Sequence, residues 1–214
     1  MDLEHHTPSL THLREFVRAR VAGRPTHVAV DREQVTASST NRFFAHVYEP
    51  LMTAVIEDVV SGAHGIALDR AVNKAPDRMR QSYAAAAQGM KQVIVRLAPT
   101  SASRAGRRNV VVEVDDEEVV SLRIHLVFEL AGGRRLCAFL YFSKQRLTDA
   151  ELAVMETAIA LASSQIDPAA TPALISVRSG IVAHIDRVTA ITPERIAFLT
   201  RMSSDYRAEW AVSA

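Results

Sequence analysis

The sequence offers almost no sulfur chemistry: Cys137 is the single cysteine in 214 residues. An intramolecular disulfide is therefore impossible, and a cysteine-built zinc site, which needs several thiolates, is excluded. An excess of one charge is missing too. Lys and Arg total 25 and Asp and Glu 24, a formal net charge of +1, so no global field recruits nucleic acid or an anionic membrane. Binding of that kind needs a local patch. No apolar run approaches the roughly 18 residues of a membrane-spanning helix. The start, Met1-Asp2-Leu3-Glu4-His5-His6, lacks the basic-then-apolar pattern of a secretory signal. The expectation is a cytoplasmic chain with no membrane partner.

Catalytic punctuation is absent as well. There is no Gly-x-Ser-x-Gly elbow, no P-loop and no Gly-x-Gly-x-x-Gly. Cys137 stands inside an apolar run, where a thiol behaves as a small hydrophobe. No catalytic residue and no cofactor is expected, and the reading leans away from an enzyme.

What is present is a globular balance, 48% hydrophobic and 23% charged, enough for a real core. Residues 1–75 read as a helical N-terminal extension and residues 76–214 as an α+β domain. Thr7-Pro8 starts a helix whose Leu10, Leu13, Val17 and Val21 share a face, and Gly23 ends it. A short extended piece is expected at His27 to Val30. A second helical pattern begins near Ser39-Thr40 and carries Phe44, Val47, Leu51, Val55 and Val59. Pro50 lies within that pattern and should kink or split it near Tyr48. A third helix opens at Pro76-Asp77 and closes at Pro99. Its Met79, Tyr83, Ala86, Met90, Val93 and Leu97 alternate spacings of four and three, a heptad seam. The seam suits core packing within the chain first and pairing with a second copy second.

Residues 100–108 read as a linker, and the period then changes to two. Val110, Val112 and Val114 alternate up to a turn at Asp116-Glu117. Leu122, Ile124, Leu126, Phe128 and Leu130 alternate with Arg123, His125, Val127 and Glu129. Gly132-Gly133 signals a hairpin turn. Leu136 to Phe142 is apolar on both faces, so that strand should be central and covered on both sides. Thr148-Asp149-Ala150-Glu151 is a capping box. Ala173 to Val177 and Ile181 to Ile185 form a hairpin. Thr192-Pro193 opens a last helix with Ile196, Leu199, Met202, Tyr206 and Trp210 on its apolar face. The expected fold class is α+β: a helical N-terminal region, then helix, three-strand antiparallel meander, helix, β-hairpin, helix.

Candidate sites are few. The eight histidines include no His-x-x-x-His or His-x-His pair, so no metal site is expected. His125 shares the polar face of its strand with Arg123 and Glu129. That face reads as half-exposed sheet surface or as the wall of a groove. The acidic turn Asp115-Asp116-Glu117-Glu118 reads as solvated before it reads as a cation site. In a meander that begins at Val110, Arg104, Arg107 and Arg108 would lie near Arg134 and Arg135. Five arginines on one edge would suit phosphate, or serve as a solubilising rim. Val35-Thr36-Ala37-Ser38-Ser39-Thr40-Asn41-Arg42-Phe43-Phe44 resembles the turn and recognition helix of TetR-type repressors, without the glycine of that turn.

The element order over residues 76–210 resembles that of type III secretion chaperones and related peptide-binding chaperones. The local likeness is greatest in the hairpin Ala173–Val177 and Ile181–Ile185, followed by Ile196, Leu199, Tyr206 and Trp210. The resemblance implies a homodimer without chemistry of its own that holds an extended protein or peptide partner. Its seam would be the heptad helix or the last helix. Its contact face would include Arg123, His125, Phe139 and Tyr141, with the register open by one residue. The same order is similar to the core of PD-(D/E)XK nucleases. That likeness implies a nucleic-acid-binding alternative with a degenerate metal site at Asp115 and Glu129, with Lys144, and with the arginine edge on the phosphates. Phe142 stands where that family places a metal-binding carboxylate.

Overall fold

A computed structural model describes residues 6–36, 47–106 and 109–212. In its first half the helices are α1 (Leu10–Arg18), α2 (Arg24–Thr36), α3 (Glu49–Ser61), α4 (Ile66–Lys74) and α5 (Asp77–Leu97). Strands β1 (Ser101–Arg104), β2 (Val110–Val114), β3 (Glu117–Leu122), β4 (Leu126–Glu129) and β5 (Arg135–Tyr141) follow. Then come α6 (Asp149–Ile166), β6 (Thr171–Ser176), β7 (Ile181–His184), the short α7 (Arg187–Ala190) and α8 (Pro193–Val212). The fold is α+β. A five-stranded mixed sheet runs β1–β4–β5–β6–β7, and β2–β3 form a separate antiparallel hairpin.

Strand β5 sits at the centre because both of its faces are apolar. Leu136, Ala138 and Leu140 point into one core; Cys137, Phe139 and Tyr141 point into the other. It pairs antiparallel with β4 and parallel with β6. A parallel pair needs a crossover, and α6 supplies it. The helix opens with the capping box that its sequence announces: the Thr148 side chain accepts from Glu151 N–H, and the Glu151 carboxylate accepts from Thr148 N–H.

Two helical layers cover the sheet. On the Phe139 side, α1, α2, α6, α8 and the β2–β3 hairpin close over a core that includes Phe16, Met155, Tyr206 and Trp210. Phe16 meets Tyr206 edge-on at 5.5 Å. On the Leu136 side lie α3, α4 and α5, with Leu51, Leu68, Tyr83 and Met90 among the buried residues. The helices before residue 76 therefore contribute to both layers.

The heptad stripe of α5 is used inside the chain. Tyr83, Ala86, Met90 and Val93 are buried, and Met79 and Leu97 pack at the margin of the same core. Full burial of Met90 and of Val93 contributes roughly 1.5–3 kcal/mol each. Gly89 brings the helix against the chain leaving β6: a Cβ there would lie 1.8 Å from the Val177 carbonyl oxygen. The stripe of α8 is likewise internal, with Leu199, Met202, Tyr206 and Trp210 buried. Neither stripe is left open as a dimer seam.

Several local expectations are corrected. Ser101–Arg104, expected as linker, is a strand, because β4 supplies its partners from Ser101 opposite Glu129 to Arg104 opposite Leu126. The meander is therefore β1–β4–β5. The segment 110–122 leaves it as a hairpin and buries Val110, Val112, Val119 and Val120 in the first layer. The long alternation from Leu122 to Leu130 is broken at Arg123–His125, where the chain passes from β3 to β4. His27 to Val30 is helical within α2, with Val28 buried. Pro50 occupies the first turn of α3, where its missing N–H does no harm, so the helix starts there. The expected helix start at Ser39-Thr40, and the repressor-like segment from residue 37 on, lie outside the described residues. No helix among the described residues is long and apolar enough to cross a membrane.

Candidate binding cleft

The site begins where β4 parts from β5. His125 N–H still donates to the Ala138 carbonyl, 3.0 Å away. Beyond it the chain turns towards β3, and the Leu140 N–H loses its backbone partner. His125 Nδ1 takes that N–H at 2.9 Å. Burial, with the nearby Arg123 and Arg104 guanidiniums adding to it, pulls the imidazole down to about 3. It is therefore neutral, with its proton on Nε2, and its ring stands edge-on to Phe139 at 4.8 Å. An imidazole whose Nδ1 lone pair closes a gap in a sheet serves as structure rather than as a base.

Arg123 donates to Glu49 Oε1 through Nη1. Arg104 reaches the same carboxylate through Nη2, at 2.7 Å from Oε2, and also donates to the Glu49 carbonyl at 3.1 Å. One carboxylate thus serves two guanidiniums. Arg104 Nη1 is buried without a hydrogen-bond partner. Beside them, Tyr48 stacks on Phe142 at 4.0 Å with the rings 9° from parallel, and on Tyr83 at 5.5 Å.

The opposite wall is α1. Arg14 falls four residues after Leu10, on the buried stripe of that helix. Its guanidinium bonds Glu151 Oε1 at 3.1 Å and Tyr141 Oη at 3.4 Å, and contacts Glu15. Tyr141 Oη in turn donates to the Gln145 carbonyl at 2.8 Å. Glu151, fully buried, also receives Arg18 Nε at 2.9 Å and Nη2 at 2.8 Å. Burial alone would raise the Glu151 carboxyl, but the hydrogen bonds from Arg18 and Thr148 outweigh it and hold the group below the ordinary carboxylate range.

Between these walls lies a cleft of about 650 Å³, within the usual range for ligand pockets. Arg14, Tyr48, Arg123, His125, Phe139 and Tyr141 all line it. The structure therefore brings together all four residues that the sequence nominated as a contact face: Arg123, His125, Phe139 and Tyr141. Sequence reasoning missed Arg14, Tyr48 and Glu49. Only Arg14 left a signal, a charged residue on an apolar helical stripe. The arrangement can hold a flat apolar group against rings while a guanidinium meets an attached acidic group.

Among the described residues the arginine edge does not assemble. Arg104 lies at the Leu126 end of the sheet and Arg135 at the Glu129 end. Arg104 pairs with Glu49, Arg135 pairs with Asp167 at 2.9 Å, and Arg134 follows the β4–β5 turn. Arg107 and Arg108 lie outside the described residues. The cause is the changed meander: its first strand is β1, which runs from the Glu129 end and carries Arg104 away from the β4–β5 turn. Asp115 and Glu129 belong to different sheets, Asp115 in the β2–β3 turn and Glu129 at the end of β4. Lys144 lies in the loop after β5. Among the described residues no group of three or more His, Cys, Asp or Glu is placed to hold a metal. The Cys137 thiol is buried, and burial raises it to about 11. No protein family, no curated protein and no solved structure matches the chain.

Proposed function

We propose that this chain is a non-enzymatic, cytoplasmic binding protein that holds a short segment of a partner polypeptide in the cleft between α1 and β5. The observation that carries the reading is the gathering of Arg123, His125, Phe139 and Tyr141 on one cleft. The polar atoms there are engaged in holding shape: His125 Nδ1 on Leu140 N–H and Tyr141 Oη on the Gln145 carbonyl. Rigid rings beside a guanidinium suit recognition of side chains better than proton transfer. The sequence resemblance of the hairpin and last helix to type III secretion chaperones supports a polypeptide as the occupant.

The proposal includes a homodimer, with its seam away from α5 and α8. Strand β7 ends the sheet beyond β6, and its Ile181 is 55% exposed. Two such edges can pair antiparallel across a two-fold axis.

Native mass spectrometry of the protein isolated from its own cells tests both parts. A dimer carrying polypeptide, with the passenger lost in Arg123→Met, is the expected result. A chain carrying nucleic acid that dissociates as salt rises, or one carrying only a small molecule, overturns it.

A further inference from the structure

We infer that the cleft reads a carboxylate on its ligand, and that Glu49 occupies that carboxylate's place in the free protein. The inference rests on the cleft reading above and adds the chemistry of recognition. Arg104 and Arg123 each present a fork of five N–H donors. Glu49 is the one carboxylate that ion-pairs with either of them among the described residues. His125 adds no charge, because burial and these same arginines keep it neutral. Two guanidiniums, Arg104 at the end of β1 and Arg123 just before β4, thus share one carboxylate; Arg123 lines the cleft, and Arg104 Nη1 has no acceptor.

Glu49 is built to leave. Its side chain is 28% exposed, and it is the first residue of α3, directly after the cleft residue Tyr48. Its backbone carbonyl accepts from Arg104 independently of the carboxylate. Rotation of the side chain frees the Arg123 fork, which lines the cleft, while Arg104 Nη2 stays on the Glu49 carbonyl and the Thr53 hydroxyl and keeps the helix end tied. The rings that line the cleft together with Arg123 include Tyr48, Phe139 and Phe142. The preferred ligand is thus a polypeptide segment with an acidic group beside an aromatic side chain. Glu49 competes with it, so affinity is set against an internal rival.

The test uses the full chain and two probes, N-acetyl-phenylalanine and its neutral amide, titrated while the ¹H–¹⁵N NMR signals of Arg123, His125 and Leu140 are followed. The acid is expected to bind about tenfold more tightly than the amide, the scale of a hydrogen bond to a charged group. Glu49→Gln should tighten the acid several-fold, on the same scale, and leave the amide unchanged. Arg123→Met should erase the difference between the probes. Arg123→Lys, which keeps the charge but loses the fork, should weaken the acid alone and serves if a more drastic variant fails to fold. Equal binding of acid and amide at these signals overturns the carboxylate inference and leaves the cleft standing. Failure of both probes to move the signals overturns the cleft as well.

Discussion

His125 Nδ1 accepts the backbone N–H of Leu140 at 2.9 Å, so a side chain completes the ladder that the departing strand leaves open. The bond exists only while the imidazole is neutral. The folded chain holds it so down to about pH 3, whereas an ordinary histidine takes its proton near 6.5. Between these values the unfolded chain binds more protons, so stability falls as pH falls from 6.5 towards 3. The slope approaches about 1.4 kcal/mol per pH unit. His125→Gln removes this titration. Urea unfolding at pH 7 and pH 4.5 should therefore show wild type losing about 3 kcal/mol more than the variant. Equal losses would mean that the ring is already charged or exposed.

Glu151 is the shared partner of Arg14, Arg18 and Thr148. Glu151→Ala should destabilise the chain by about 3–5 kcal/mol, the range for removing one member of a buried ion pair. Urea denaturation checks it. Glu151→Gln keeps part of the helix cap and should lose less. Because the Glu151 carboxyl is held low, its contribution is complete above the ordinary carboxylate range and disappears as pH falls through the folded value. The gap between wild type and Glu151→Gln should close in acid.

Gly89→Ala sets two effects against each other. Alanine favours a helix by about 1 kcal/mol. Its Cβ, however, would fall 1.8 Å from the Val177 carbonyl oxygen and 2.8 Å from the carbonyl carbon. Overpacking against backbone wins, and a net loss of about 2–3 kcal/mol is expected in thermal or urea unfolding. Gly23→Ala meets nothing within 4 Å and should stay near neutral.

The features legible in the sequence are those that a local pattern dictates. Leu136 to Phe142 announced a strand covered on both faces, Thr148 to Glu151 announced a cap, and Ala173 to Ile185 announced a hairpin; each depends on residues within a few positions. Ser101–Arg104 carries no apolar alternation and becomes a strand only through β4. The break at Arg123–His125 is hidden because the alternation continues through it unchanged. Arg14 and Glu151 meet across 137 positions, and no spacing rule links them. The contact face was legible because β5 alternates, so Phe139 and Tyr141 must share a side. Its opposing wall was not, since α1 reaches it only after the whole first layer has closed.

That closure sets a schedule during synthesis. Helices α3, α4 and α5 are neighbours in the chain and pack on one another, so they can assemble as they emerge. Helix α1 packs on β3, α6 and α8, all made later. At roughly 5–20 residues per second, its apolar stripe waits on the order of ten seconds or more for α8 to appear. During that interval Phe16 lacks the Tyr206 ring that it meets edge-on in the folded chain.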